Sequence, residues 1–116
     1  MPEMSNAPEP VREFTTVAKI GAIAPGSGAA FAVNERLVAV FNLGEGRYHA
    51  IDDLCPHMGA SLAEGDVTQG VVTCPWHAWR FRVEDGTWCD NPRIKTRTFE
   101  VRVVGDEIQV CVPKSG

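Results

Sequence analysis

From Phe14 onward the chain alternates between short segments rich in β-branched and apolar residues and short clusters of turn-forming residues. The clusters include Asn34-Glu35, Gly44–Gly46, Asp85-Gly86 and Gly105-Asp106, and no segment keeps a 3.6-residue apolar period for three turns. We therefore predict an all-β domain, with tight hairpins at Asn34-Glu35 and Gly105-Asp106. The predicted strands are FTTVAKI, AAFAV, LVAVF, YHAI, VVT, FRV, FEVRVV and EIQVCV.

The chain length sets the domain organisation. With 116 residues the chain can bury one core of its own but not comfortably two. Residues 1–12 contain three prolines and little to bury, which is typical of a flexible tail. We predict a tail at 1–12 and a single folded domain over 13–113.

Composition excludes several classes of function. A net charge of −4 and a pI near 5.3, with no run of Lys or Arg, argue against nucleic-acid binding. The excess of acidic over basic residues either serves solubility or complements a basic docking site on a partner. No apolar run approaches the roughly 18 residues of a membrane span, and the N-terminus lacks the pattern of a secretory signal. These features predict a soluble cytoplasmic protein that does not bind a membrane, where cysteine serves metal binding, chemistry or packing.

Two loops combine thiols with imidazoles. The pattern is Cys55-x-His57, sixteen residues, then Cys74-x-x-His77, with a proline after each cysteine. Zinc accepts two cysteines and two histidines, but zinc modules usually pair like with like in each loop. A Rieske [2Fe–2S] cluster uses the mixed pairing, because two Cys hold one iron and two His hold the other. Zinc, and four unrelated core residues, are the alternatives.

The motif resembles that of the Rieske family, and the stretches YHAIDDLCPH, WRFRVEDGTW and FEVRVVGDEIQV are also similar to those of a small Rieske ferredoxin. The resemblance implies an antiparallel β-sandwich or barrel with a cluster-binding subdomain of two Cys/His loops. It implies one [2Fe–2S] cluster per chain, with Cys55 and Cys74 on the inner iron and His57 and His77 on the outer one. It further implies that Asn91-Pro92 forms a third loop over the cluster.

The remaining chemistry-bearing residues have plainer interpretations. We expect Cys89 and Cys111 to be small buried hydrophobes, with a disulfide or a redox role as alternatives. We expect His49 to be an ordinary strand residue. An apolar rim around the outer iron is predicted from Met58, Gly59, Trp76, Ala78 and Trp79, although both tryptophans could instead belong to the core.

The resemblance implies an electron-transfer component rather than a catalyst acting alone. Our leading interpretation is a soluble ferredoxin that passes single electrons from a flavin-type reductase to a terminal oxygenase. The alternative is the small subunit of an NAD(P)H-dependent nitrite reductase, acting with its large subunit, because the segment DG-x-x-C-D is similar to such subunits. An oxygenase subunit itself would need a second iron site with two further histidines, and only His49 is left over.

The resemblance also implies a low reduction potential. High-potential members of the family join their two loops by a disulfide at the positions of Ala60 and Trp76. They donate hydrogen bonds to sulfur from a Ser and a Tyr at the positions of Trp79 and Phe81. This chain has neither device, so we expect a potential near the bottom of the Rieske range, about −150 mV.

Overall fold

A computed structural model describes residues 13–55, 60–75 and 78–113, so the predicted tail lies outside the described residues. The described part contains eleven strands and a single 3₁₀ turn, Leu62–Glu64, which confirms the all-β prediction. It contains no helix of the length and apolarity that a membrane crossing requires. The strands are β1 Phe14–Lys19, β2 Ser27–Val33, β3 Arg36–Gly44, β4 Arg47–Asp52, β5 Asp66–Thr68, β6 Val71–Thr73, β7 Arg80–Arg82, β8 Thr87–Trp88, β9 Asn91–Lys95, β10 Thr98–Val104 and β11 Glu107–Cys111.

The strands form two antiparallel sheets. The larger has six strands in the order β1-β11-β10-β4-β3-β2, so the chain ends β1 and β11 pair with each other. The smaller has five strands in the order β5-β6-β7-β8-β9 and comes from the continuous segment 66–95. Both cysteine loops therefore adjoin the smaller sheet, one before β5 and one between β6 and β7.

Both predicted hairpins are present. Asn34 and Glu35 have φ values of 50° and 66°, and Val33 pairs with Arg36 across them. Two positive φ values are the signature of a type I′ turn, whose twist matches that of the flanking strands. In the second hairpin Gly105 alone has a positive φ, 61°, which fits a type II′ turn.

Three strands were not predicted, and one of them overturns a loop assignment. The missed strands are β5, β8 and β9, and Asn91-Pro92 begins β9 instead of forming a third loop. Because β9 is an edge strand, Pro92 is tolerated there despite its missing N–H. The two-residue connection after Trp88 makes this stretch one arm of a tight hairpin, with Trp88 opposite Asn91.

Strand β3 is buried on both faces and separates two cores. Val38, Ala39, Val40 and Phe41 are all fully buried, although alternate residues point to opposite faces. The first core, which we call the cysteine core, comprises Ala39, Phe41, Ile51, Cys55, Ala60, Leu62, Ala63, Val72, Cys74, Phe81 and Val83. The second, which we call the sheet core, comprises Ile23, Val33, Val38, Val40, Ala50, Phe99, Ile108, Val110 and Val112.

Candidate metal centre

Two of the four predicted ligands meet in the cysteine core. Cys55 and Cys74 are 2% and 1% exposed, and both belong to that one cluster of side chains. His57 and His77 lie outside the described residues. Within the described ranges no group of three or more His, Cys, Asp and Glu gathers into a metal site, so that part of the chain brings together the two predicted thiol ligands only.

The two cysteine loops are closed in the same way. The backbone N–H of Cys55 donates to the carbonyl of Ala60 at 2.8 Å, and that of Cys74 donates to the carbonyl of Trp79 at 2.6 Å. Each bond joins the cysteine to the fifth residue after it. The two loops therefore begin and end at equivalent points, as expected of two halves that enclose one object.

A buried carboxylate holds the first loop at its base. Asp53 is 2% exposed, and its Oδ1 accepts hydrogen bonds from Ser61 Oγ and the Ala63 N–H, both at 2.9 Å. Its own carbonyl accepts from the Leu62 N–H at 2.7 Å. Because a buried carboxylate is costly unless it is hydrogen-bonded, these three contacts make Asp53 a clamp across the loop that contains Cys55.

The backbone just before the second cysteine loop, at Thr73, packs closely against Gly65, which follows the first cysteine loop. Gly65 follows the 3₁₀ turn with an ordinary φ of −82°, yet a Cβ there would collide with the carbonyl oxygen of Thr73. Thr73 is the residue before Cys74. The chain therefore needs glycine at this point for close approach of two backbones, not for an unusual φ.

Aromatic rings cover one side of the cysteine core. Trp79 and Trp88 stack with their ring centroids 3.8 Å apart and an interplanar angle of 7°, and Trp79 lies 6.3 Å from Phe81. Both tryptophans are half-buried and pack against the cysteine core. Trp79 is thus partly core and partly surface, and Ala78 is exposed. The other predicted rim residues, Met58, Gly59 and Trp76, lie outside the described part of the chain.

One buried hydrogen-bond donor in this region has no acceptor among the described residues. The indole Nε1 of Trp88 is buried and has no hydrogen-bond partner among the described residues. Two buried thiols supply the sulfur ligands that an iron–sulfur cluster needs, and a cluster in turn presents sulfur acceptors that a buried N–H can use. The residues present therefore fit a [2Fe–2S] cluster.

The charged groups around the loops are few and mostly exposed. Cys74 and Pro75 line one edge of a surface groove that Glu64 and Asp66 border with negative charge. At the start of β7, Arg80 lies 3.6 Å from Asp90 in an exposed pair. In the turn before β8, hydrogen bonds from the Thr87 hydroxyl and N–H hold the pKa of Asp85 below its usual value.

The other singled-out residues take no part in a described metal site. Cys89 and Cys111 are unpaired, which excludes the disulfide, and both are half-buried rather than fully buried as expected. Cys89 contributes its backbone N–H to the Arg80 carbonyl at 2.8 Å. His49 is a half-buried residue of β4, opposite Phe41.

Sequence reasoning overlooked Asp53, Gly65 and Trp88. The acidic pair before LCPH was a usable signal for Asp53, because one of two adjacent carboxylates on a strand end must point inward. No sequence signal identifies Gly65, since its role depends on a contact with Thr73 across two loops.

A two-sheet β-fold that buries two loop cysteines in one core fits an iron–sulfur protein, and comparison with known families identifies the class. The model of the Rieske [2Fe–2S] domain matches residues 13–113, so this chain belongs to the Rieske [2Fe–2S] family. Its cofactor is accordingly a [2Fe–2S] cluster of the Rieske type.

Three of the similar proteins match this chain over more than nine tenths of their own length and are described as ferredoxins or as a nitrite reductase small subunit. The ferredoxin component of the alkene monooxygenase system of Xanthobacter autotrophicus is 33% identical over 115 residues, covering 96% of this chain and 93% of that protein. The structure of the ferredoxin of carbazole 1,9a-dioxygenase from Nocardioides aromaticivorans has a TM-score of 0.78 and 33% identity, covering 84% of this chain and 96% of that one. The structure described as a putative NADH-dependent nitrite reductase small subunit from Mycobacterium tuberculosis has a TM-score of 0.83 and 27% identity, covering 90% and 98%.

Proposed function

We propose that this protein is a Rieske ferredoxin that carries one electron at a time from a flavin-type reductase to a terminal oxygenase. Residues 13–113 form the cluster-binding domain in this proposal. The observation that carries it is the burial of Cys55 and Cys74 in one core, in a chain that matches an oxygenase-system ferredoxin over nearly the full length of both.

The four motif residues hold the cluster. Cys55 and Cys74 ligate the inner iron, and His57 and His77 ligate the outer one. Burial of both thiols supports the inner assignment, because they lie in the cysteine core away from water. When bound, the cluster supplies one-electron redox chemistry, and neutral imidazoles in place of two thiolates raise its potential relative to an all-cysteine cluster.

The surrounding residues shield and position the site. Asp53 and the two matched loop closures hold the ligand cysteines at fixed points of the backbone. The Trp79–Trp88 stack excludes water from one side of the core. Ligand residues that do not move when the cluster gains an electron favour rapid electron transfer. A cytoplasmic location is part of the proposal, supported by Cys89 and Cys111, which form no disulfide.

The test is cluster content in matched cysteine variants. We expect the purified protein to be brown, to contain iron and labile sulfide in equal amounts, and to bleach on reduction. Cys55→Ser and Cys74→Ser abolish these properties, and His57→Ala and His77→Ala do the same or leave an altered spectrum. Cys89→Ser and Cys111→Ser are the controls and leave the spectrum unchanged. A folded but colourless Cys89→Ser protein, or a colourless wild type that holds zinc, contradicts the assignment.

A second function is favoured by the nitrite reductase small subunit structure, which this fold matches with a TM-score of 0.83. In that case the protein works inside an assembly with a large subunit rather than as a detached carrier. The two functions separate in one experiment with the reduced protein. A ferredoxin is reoxidised by a Rieske-type oxygenase with substrate and oxygen, whereas a small subunit co-elutes with a nitrite reductase large subunit.

A further inference from the structure

The strongest unexplained feature is the unpaired indole nitrogen of Trp88. Nε1 is buried and has no partner among the described residues, and it is the single buried side-chain N or O of that part of the chain in this state. Buried N–H donors are nearly always hydrogen-bonded, because an unpaired donor keeps the full cost of leaving water. An acceptor beyond the described protein atoms is therefore required.

Trp88 is tied to the second cysteine loop by backbone and side chain. In the sheet it lies directly opposite Phe81, a fully buried member of the cysteine core. Its ring stacks on Trp79, whose carbonyl closes the loop by accepting from the Cys74 N–H. The next residue, Cys89, donates its N–H to the Arg80 carbonyl. These contacts hold the indole beside the core that contains both ligand thiols.

We propose that the Trp88 indole N–H donates a hydrogen bond to a sulfur of the bound cluster and so raises its reduction potential. The inference rests on the proposed function, since it needs the cluster as acceptor. A donor to sulfur stabilises the additional negative charge of the reduced state more than the oxidised state. Trp88 thus supplies a donor that Phe81, opposite it in the sheet, lacks.

The test uses the holoprotein with tryptophan labelled with ¹⁵N at the indole nitrogen. Pulsed electron paramagnetic resonance of the reduced protein detects a ¹⁵N nucleus that is hydrogen-bonded to the cluster. We expect a ¹⁵N coupling in the wild type that is lost in Trp88→Phe and retained in Trp79→Phe, which keeps the donor and removes the stacking partner's indole. The midpoint potential shifts to more negative values in Trp88→Phe.

Each other outcome overturns the inference. A coupling that survives in Trp88→Phe assigns the donor to another tryptophan. If the wild type has a normal Rieske spectrum but no ¹⁵N coupling, a buried water or a loop carbonyl accepts the Trp88 hydrogen bond. The inference is then wrong, while the proposed function is retained. That wild-type measurement decides the matter even if Trp88→Phe assembles no cluster. A wild type without a cluster overturns both the inference and the proposed function.

Discussion

At the scale of single residues, burial alone does not distinguish a ligand cysteine from a packing cysteine. Cysteine is among the most frequently buried residue types, and free thiols commonly behave as small hydrophobes. Cys55 and Cys74 differ from Cys89 and Cys111 in their loops: both N–H groups bond to the residue five positions on, while Cys111 lies in a regular strand. Matched loop closure is therefore the local feature that supports the shared ligand role proposed for Cys55 and Cys74.

Phe81 offers a direct way to tune the cluster. It is fully buried in the cysteine core, at the position where high-potential relatives place a tyrosine hydroxyl. For the wild type we expect a midpoint near −150 mV. In Phe81→Tyr, a hydroxyl that donates to sulfur about 1 kcal/mol more strongly in the reduced state raises the potential by about 40 mV. Film voltammetry measures both values.

The matched control is Phe41→Tyr, which adds a hydroxyl to another fully buried ring of the same core. This change is expected to lower stability without raising the potential, because β3 adjoins neither cysteine loop, whereas Phe81 lies on β7 directly after the second one. A wild-type midpoint well above zero would mean that donors already present compensate for the missing Ser and Tyr.

Asp53 is predicted to be the residue outside the ligand set on which the first loop depends most. Asp53→Ala leaves the Ser61 hydroxyl and the Ala63 N–H without their acceptor, which costs about 2–4 kcal/mol in the free energy of unfolding. Ser61→Ala is the control and costs about 1 kcal/mol, since it removes one bond and leaves the carboxylate paired. Chemical unfolding followed by circular dichroism measures both, and equal losses in the two variants would contradict the clamp.

At the scale of elements, the longer strands could be predicted because their pattern of apolar residues indicates which faces are buried. The run LVAVF lacks polar positions, and β3 is buried on both faces. The positive φ values at Asn34 and Glu35 follow from a two-residue connection between two apolar runs. The missed strands β5 and β8 have three and two residues with a single apolar residue each, so no apolar run marks them as it marks the equally short β6.

The site was only partly predictable for a different reason. The proposed ligand motif is a local pattern, so its four residues can be proposed from the sequence alone. The resemblance implies a third, Pro-containing loop, for which Asn91-Pro92 is the stretch that fits, but an edge strand also accepts proline, as β9 does. The contributions of Gly65 and Trp88 depend on contacts between distant segments, which no local pattern encodes.

The junction of the two cysteine loops can be tested at Gly65. In Gly65→Ala the new methyl group collides with the Thr73 carbonyl and lies 3.1 Å from Val72 Cγ2, so the backbone before Cys74 must move. We expect a loss of roughly 3 kcal/mol in stability and a lower iron content per chain. Iron and sulfide assays on protein purified in parallel with the wild type measure the second effect.

Gly70→Ala is the control, because its site has a positive φ of 76° but open space around the added methyl group. It costs about 1 kcal/mol through backbone strain and leaves the iron content unchanged. If both variants lose iron equally, the close approach of Gly65 to Thr73 has no special role in forming the site.

At the scale of the whole molecule, the two cores have different sources of stability. The sheet core is formed by long strands, and β2 and β3 pair over seven positions. The cysteine core is covered by the segment 66–95, whose strands have only two to five residues. Short strands contribute few hydrogen bonds. The stability of the smaller sheet therefore depends on the packing of the cysteine core and on the bound cluster that links the two cysteine loops.

Loss of the cluster should therefore loosen one half of the protein and spare the other. A bound metal group that links two loops adds its binding free energy to the stability of the segments it connects. In Cys74→Ser, amide hydrogen exchange measured by mass spectrometry should rise at least tenfold across β5 to β9, a change of about 1.4 kcal/mol in local opening. The β1, β2, β10 and β11 peptides should exchange as in the wild type, because they pack in the sheet core and contain neither cysteine loop. Cys89→Ser changes the turn between β8 and β9 of the smaller sheet but keeps all four proposed ligands, so it should show the wild-type pattern throughout. Uniform acceleration over both sheets in Cys74→Ser would show instead that β3, shared by the two cores, couples them into one cooperative unit.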